Sequence, residues 1–190
     1  MALVVEDGTG KADAESYTSV AAFKAWADLR GFAYASYTDT AIEQSARRST
    51  LYIDGKYRNR FPGTRVKGRS QAREWPRNVA PSVDQTVEDL PLSDWLTNLL
   101  TITSTEVPIE VIEATHQAMK RDLVSPGALS PDVTPGKVKT EVAIEGAVSV
   151  KYGSAASAVD TMRPIVTDIE EVLAPIIYPK NCFSGSVARG

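Results

Sequence analysis

The sequence is poor in the residues that most enzymes and metal proteins use for their chemistry. Its 190 residues include one cysteine, Cys182, and one histidine, His116. A single cysteine excludes a disulfide bond within the chain. A structural zinc site takes four ligands, mostly cysteine and histidine, and a serine or cysteine triad would have to use His116. We therefore predict that the protein is not an enzyme and uses no metal or organic cofactor.

Long apolar segments are also missing. No run of about 18 apolar residues occurs, so the sequence predicts no membrane span and no membrane partner. The first eight residues, MALVVEDG, have neither the basic start nor the apolar stretch of a signal peptide. Hydrophobic residues make up 43% of the chain and charged residues 24%, as in an ordinary globular protein. The length predicts one domain, or one domain with a long arm.

Charge is distributed unevenly along the chain, although the net charge is only -3. From Arg47 to Arg77 the sequence has ten basic and two acidic residues, and the remainder has 11 basic and 22 acidic residues. A segment of charge +8 therefore lies on a body of charge -11. Such asymmetry suits a phosphate-binding surface or head-to-tail contacts between identical subunits. The alternative is a solvated segment whose charges pair locally with the acidic remainder.

Apolar periodicity predicts three or four helices. They run near residues 19–30, from Thr38-Asp39 to Gly55, from Pro108 to Ser125, and from Arg163-Pro164 to Ala174. Ser19 or Ser16 is the expected N-cap of the first helix, and Gly31 is expected just beyond its end. Pro108 suits the first position of the third helix.

Residues 55–82, called the basic loop below, are rich in proline and glycine and follow neither the helical nor the strand period. Such long loops in compact domains are usually functional or disordered. Three aromatic residues, Tyr57, Phe61 and Trp75, favour an anchored loop over a disordered one.

The rest of the chain completes a predicted architecture. Residues 83–106 are an insertion that the pattern assigns neither to a helix nor to a loop. Alternation over Val148–Tyr152 predicts a strand, paired in a hairpin about Gly146. The expected fold is mainly α, a small helical bundle with a β-hairpin and extended N- and C-terminal arms. The domain is expected to cover residues 1–175, and residues 176–190 are expected to form the C-terminal arm.

The basic loop offers the main candidate site, with two interpretations. Its cations and aromatic rings could clamp a nucleic-acid backbone and stack bases. The same residue types anchor protein interfaces, and their spacing does not separate the two uses. The candidate residues are Arg58, Arg60, Phe61, Arg65, Lys67, Arg69, Arg73, Trp75 and Arg77. His116 beside an apolar helical stripe is expected to be a packed residue, and the Gly8–Lys11 segment lacks the spacing of a phosphate-binding loop.

Three groups of motifs, in this order, resemble a family of tailed-phage proteins. The motifs are VVEDGTG at 4–10 with ESYTSV at 15–20; ARRSTLYID at 46–54 with RFPGTR at 60–65 and QAREWPR at 71–77; and VP at 107–108 with VSVKY at 148–152 and VLAPI at 172–176. Gln71, Trp75, Pro76 and Arg77 belong to the most specific of them. The family is that of the head–tail connector, or neck adaptor, proteins, often labelled DnaT-like single-stranded DNA-binding. The resemblance covers about residues 3–178.

This resemblance implies a structural role in the virion. Connectors of this kind form a ring of about twelve copies between the portal and the head-completion (stopper) or tail-terminator protein, around packaged double-stranded DNA. The implied location is the virion neck, and the host cytoplasm during assembly. The basic loop would line a subunit interface or face the DNA, and the C-terminal arm would dock on the portal. The arm residues in this expectation are Ile176, Ile177, Tyr178, Cys182 and Phe183. The alternative is a single-stranded DNA-binding protein that uses the same loop.

Overall fold

A computed structural model describes residues 2–78, 80–81, 101–130, 139–145, 147–152 and 166–178. Within these ranges the fold is mainly helical with a small antiparallel hairpin, which confirms the predicted fold class. The helices are α1 (Val20–Leu29), α2 (Asp39–Tyr57), α3 (Ile109–Val124) and α4 (Thr167–Leu173). None of the helices in these ranges is long and apolar enough to cross a bilayer.

Capping side chains begin the first two helices where the sequence predicts. Ser19 accepts a hydrogen bond from the Ala22 amide at 3.1 Å, and Thr38 accepts one from the Ala41 amide at 3.2 Å. Each bond satisfies one of the free amides at a helix start. Gly31 follows α1 with φ of +65°, in the left-handed region that glycine adopts without strain.

Three of the predicted helix boundaries are wrong by a few residues. Helix α2 continues past Gly55 to Tyr57, because the Tyr57 ring is fully buried and its packing outweighs the poor helix propensity of glycine. Pro108 is the N-cap of α3 rather than its first helical residue. Helix α4 begins at Thr167, after an extended Val166, and a 3₁₀ turn over Ala174–Ile176 follows it.

The strands are short, apart from the hairpin. They are β1 (Thr64–Arg65), β2 (Arg77–Asn78), β3 (Ala80–Pro81), β4 (Thr101–Ile102), β5 (Lys139–Glu145) and β6 (Ala147–Tyr152). They pair antiparallel as β1–β2, β3–β4 and β5–β6. The last pair, with Ile144 opposite Val148, confirms the predicted hairpin, while Gly146 lies outside the described ranges. Of the predicted insertion, residues 83–106, only residues 101–106 lie within the described ranges, and they begin with β4.

Two clusters of buried side chains form the core, and α2 and α3 contribute to both. One cluster gathers Tyr57, Phe61, Trp75, Val111, Ile169 and Ile176 with their neighbours. The other gathers Phe23, Trp26, Ile42, Met119 and Leu123 under α1. Helices α2 and α3 therefore connect the α1 end of the domain to the end that holds α4 and the basic loop.

The N-terminal segment is packed on this body, which corrects the expectation of an extended arm. Val5 bridges Ser16, and the Glu6 amide donates to the Ser16 carbonyl at 2.8 Å. The buried Glu6 carboxylate accepts hydrogen bonds from the amides of Gly8, Gly10 and Lys11 at 2.8–3.0 Å. The VEDGTG motif is therefore a turn closed around its own carboxylate.

Candidate functional site

The basic loop is an ordered part of the domain in its described residues. Strands β1 and β2 pair Thr64 with Asn78 and Arg65 with Arg77. Between them, the buried amide of Gln71 donates to the carbonyls of Arg73 at 2.9 Å and Pro76 at 3.0 Å. These bonds hold the loop in one shape and fix where each of its cations lies.

Both aromatic candidates of the loop are inside the protein. Trp75 is fully buried and Phe61 is 5% exposed, and their rings meet edge to face at 5.6 Å. Trp75 precedes a cis peptide bond to Pro76. Stacking of nucleic-acid bases requires an open ring face. Within this chain, neither ring offers one.

Arg77 is also an internal residue, with 7% of its surface exposed. Its guanidinium donates to the carbonyls of Pro62 and Gly63, both at 2.7 Å, and to the Glu74 carboxylate at 2.9 Å. Burial lowers the pKa of Arg77, while the Glu74 charge opposes that shift. The interactions fasten the turn after α2 to the segment that follows Trp75.

Asp54 and Tyr17 join three parts of the chain beneath the loop. The Tyr17 hydroxyl donates to the Asp54 carboxylate at 2.5 Å and accepts from the amides of Glu74 at 3.0 Å and Trp75 at 3.1 Å. Burial raises the pKa of Asp54 to about 7, although the hydrogen bond from Tyr17 and the charge of Arg73 lower it. Arg73 lies 3.6 Å from this carboxylate and donates to the Ala14 carbonyl at 2.8 Å.

Arg60 fastens the end of the described chain to the body. Its guanidinium donates to the Glu170 carboxylate at 2.7 Å and to the Tyr178 carbonyl at 2.8 Å, and the Tyr178 amide donates back to the Arg60 carbonyl at 2.8 Å. Ile176 and Ile177 are 1% and 3% exposed. These first residues of the predicted docking arm therefore belong to the packed domain, which extends beyond the predicted boundary at residue 175. Cys182 and Phe183 lie outside the described residues.

Four cations of the loop remain at the surface. Arg58 is 63% exposed, although it contacts the Glu74 carboxylate at 2.8 Å. Lys67 and Arg69 are exposed and Arg65 is partly exposed, and none of the three forms an ion pair with a described residue. Arg65 donates to the Gln71 carbonyl at 3.2 Å. The structure therefore divides the nine candidate residues into a framework of buried and partly buried side chains and a small basic surface.

The only histidine is packed, as expected. His116 is 5% exposed, and its Nε2 lies 2.7 Å from the Thr18 hydroxyl. Burial lowers the pKa of His116 to about 4, and the nearby charge of Arg30 acts in the same direction. No group of His, Cys, Asp or Glu side chains able to hold a metal ion occurs in the described part of the chain.

Three framework residues were missed by sequence reasoning. Glu6, Tyr17 and Asp54 are all buried. Glu6 accepts the amides of its own turn, whereas Tyr17 and Asp54 bond to distant segments of the chain. For Glu6 a signal was available, because an acid just before Gly-Thr-Gly can accept the amides of the turn that follows. Asp54 gave a weaker signal as one of only two acids among ten basic residues.

These observations define a small, mainly helical protein whose basic loop is built into its core. Comparison of sequences supplies the family. The whole chain, residues 1–190, matches the family described as "Putative DnaT-like ssDNA binding protein", and the protein belongs to that family. Comparison with curated proteins gives no match, and neither does comparison with solved structures. The label predicted from the motifs is thus confirmed, and the connector assignment stays a prediction.

Proposed function

We propose that the protein is a structural component of a tailed-phage virion, a head–tail connector. In this role copies of the chain form a ring between the portal and the stopper or tail-terminator protein, around the packaged double-stranded DNA. The ring stands at the neck of the virion and assembles in the host cytoplasm. The proposal involves no catalytic step.

One observation carries this choice. The most specific motif, QAREWPR, is used inside the domain, because the side chains of Gln71, Trp75 and Arg77 are buried and bonded to their own chain or packed within it. The motif that defines the resemblance is therefore a framework rather than a ligand site. A subunit of a rigid assembly has to keep one fixed shape, and this buried network serves that purpose. A protein that stacks single-stranded bases instead needs exposed aromatic rings.

Binding of single-stranded DNA is the second candidate, favoured by the family description. With the rings buried, it would depend on Arg65, Lys67 and Arg69 at the loop surface. Contact with three phosphates of a single strand predicts a slope of about -2 for log K against log salt concentration.

The two functions are separated by one set of measurements on the purified full-length protein. Light scattering and negative-stain imaging, alone and with the cognate portal, should show a ring or stoichiometric decoration of the portal. Titration with a single-stranded oligonucleotide over a range of salt is done in parallel. The connector proposal would be refuted by a monomer that does not bind the portal, yet binds the oligonucleotide with the predicted slope of log K against log salt concentration.

A matched pair of variants locates any DNA binding. The double variant Lys67→Gln, Arg69→Gln removes two surface cations of the loop, and should reduce the salt slope by about 1.4 if they bind phosphates. Lys120→Gln removes an exposed cation of α3 and serves as the control. Equal slopes in both variants would exclude the basic loop as the DNA site.

A further inference from the structure

The outer side of α1 lacks the charged residues that normally cover a surface helix. Its exposed positions are Ala21, Ala22, Ala25, Asp28 and Leu29, called the α1 face below. Leu29 is 85% exposed. A helix at the surface usually turns charged and polar residues to water opposite its buried stripe. Within α1, one charge stands among four apolar side chains. The C-cap Arg30 is also exposed, but its guanidinium pairs with Glu113 of α3 at 3.0 Å.

Helix α2 carries a different exposed surface. Positions Gln44, Arg48, Leu51, Gly55 and Arg58 follow one another at helical spacing and are all exposed, and they are called the α2 face below. Leu51 is 59% exposed. At Gly55, one turn further on, no atom outside the glycine's own stretch of helix lies within 4 Å of the place where a side chain would begin. The α2 face therefore has an exposed apolar side chain, Leu51, next to a gap at Gly55, where no side chain is present.

The charges of the two faces are opposite. The Asp28 carboxylate forms no ion pair with the other described residues. Among their side chains it accepts a hydrogen bond only from the Tyr34 hydroxyl, at 3.2 Å. The α2 face has Arg48 and Arg58, whose side chains are 49% and 63% exposed even though each contacts one carboxylate. An interface aligns opposite potentials and covers the apolar residues between them.

We propose that the α1 face of one copy packs against the α2 face of the next copy. In this contact Leu29 of one copy packs on α2 of the next copy, and Leu51 packs on α1. Asp28 then lies near the guanidinium groups of Arg48 and Arg58. Because the faces lie on different helices, the contact is head-to-tail, and a repeated head-to-tail contact forms a ring when the rotation between neighbouring copies closes. This inference rests on the proposed function, since it names the subunit contact of the connector ring.

The test uses two variants that each disable one face of the full-length protein, Leu29→Arg and Leu51→Arg. Both side chains are mostly exposed, so each variant should keep the wild-type circular dichroism and melt within about 2 °C of wild type. Each variant alone should be monomeric by light scattering, with and without the portal. An equimolar mixture should give heterodimers and nothing larger, because one intact contact remains for each pair.

Ile109→Arg provides the matched control, since Ile109 is 76% exposed on α3 and belongs to neither face. It should assemble like the wild type. Three results would overturn the inference: ring formation by either single-face variant, a mixture that stays monomeric, or equal loss of assembly in the control. If the wild type forms no ring, alone or on the portal, the proposed function itself fails, and with it this assignment.

Discussion

Removal of one buried hydroxyl is expected to weaken the whole domain. In Tyr17→Phe the oxygen that joins Asp54 to the amides of Glu74 and Trp75 is lost. The change leaves the buried Trp75 amide without its acceptor and removes one donor from the buried Asp54 carboxylate, which keeps the Glu74 amide and Arg73 beside it. Each such loss costs about 1–3 kcal/mol, and both fall at one site. We expect a loss of about 3–5 kcal/mol in the free energy of unfolding.

The same substitution has a predicted pH dependence. The Tyr17 hydroxyl donates to the Asp54 carboxylate and thereby favours its charged form, against the burial that raises the pKa of this group to about 7. The penalty of Tyr17→Phe should therefore be larger at pH 8, where Asp54 is charged, than at pH 5, where it is protonated. In the folded variant we expect the pKa of Asp54 to rise above 7, because the hydrogen bond that lowers it is lost.

Urea denaturation followed by circular dichroism, at pH 5 and pH 8, measures both effects. Tyr34→Phe is the matched control, because its hydroxyl contacts Asp28 at the surface, and it should change stability by less than about 0.5 kcal/mol. A loss below about 1 kcal/mol for Tyr17→Phe at pH 8 would refute the argument. So would a penalty that is equal at the two pH values.

The remaining predictions concern one ring and two glycines. His116 stays neutral in the fold with a pKa of about 4, against 6.5 in its ordinary state, so its contribution is present above pH 6.5 and is lost as pH falls toward 4. At about 1.4 kcal/mol per pH unit this loss is about 3 kcal/mol, and urea titrations should show a flatter acid slope in His116→Leu. Gly8→Ala should destabilise by more than about 2 kcal/mol, because φ is +95° and the added carbon would lie 2.1 Å from the Thr105 carbonyl oxygen. Gly55→Ala should instead stabilise the monomer by about 0.5–1 kcal/mol, since the new methyl group meets nothing within 4 Å apart from its own turn of helix. Thermal melts of the two variants should shift in opposite directions, and a shift in the same direction would contradict one of the two predictions.

The helices could be predicted because their signals are local. A serine or threonine just before an apolar stripe marks the starts of α1 and α2, and such caps act within three residues of the chain. The errors arose where packing outweighs propensity, as at Gly55, which is helical because buried Tyr57 extends the helix beyond it.

The basic loop could not be resolved from its sequence for a physical reason. Arginine is mostly exposed in proteins, and the ion pairs that partly bury it here join distant segments, such as Arg60 with Glu170 and Arg73 with Asp54. Only Glu74 and Arg77 are near neighbours. Of the alternatives that the charge pattern left open, pairing with acidic residues accounts for Arg60, Arg73 and Arg77, and only the Arg77 pair is local, while Lys67 and Arg69 are exposed to solvent.

The attachment of Tyr178 has a mechanical consequence. At Tyr178, directly after two buried isoleucines, Arg60 makes two hydrogen bonds to the backbone and also holds an ion pair with Glu170. Tension on the following residues would therefore pass into Arg60, just beyond the end of α2, and into α4 through Glu170, instead of peeling the terminus away. A force applied to the residues after Tyr178 therefore acts on the helical body of the domain and not on its last residues alone.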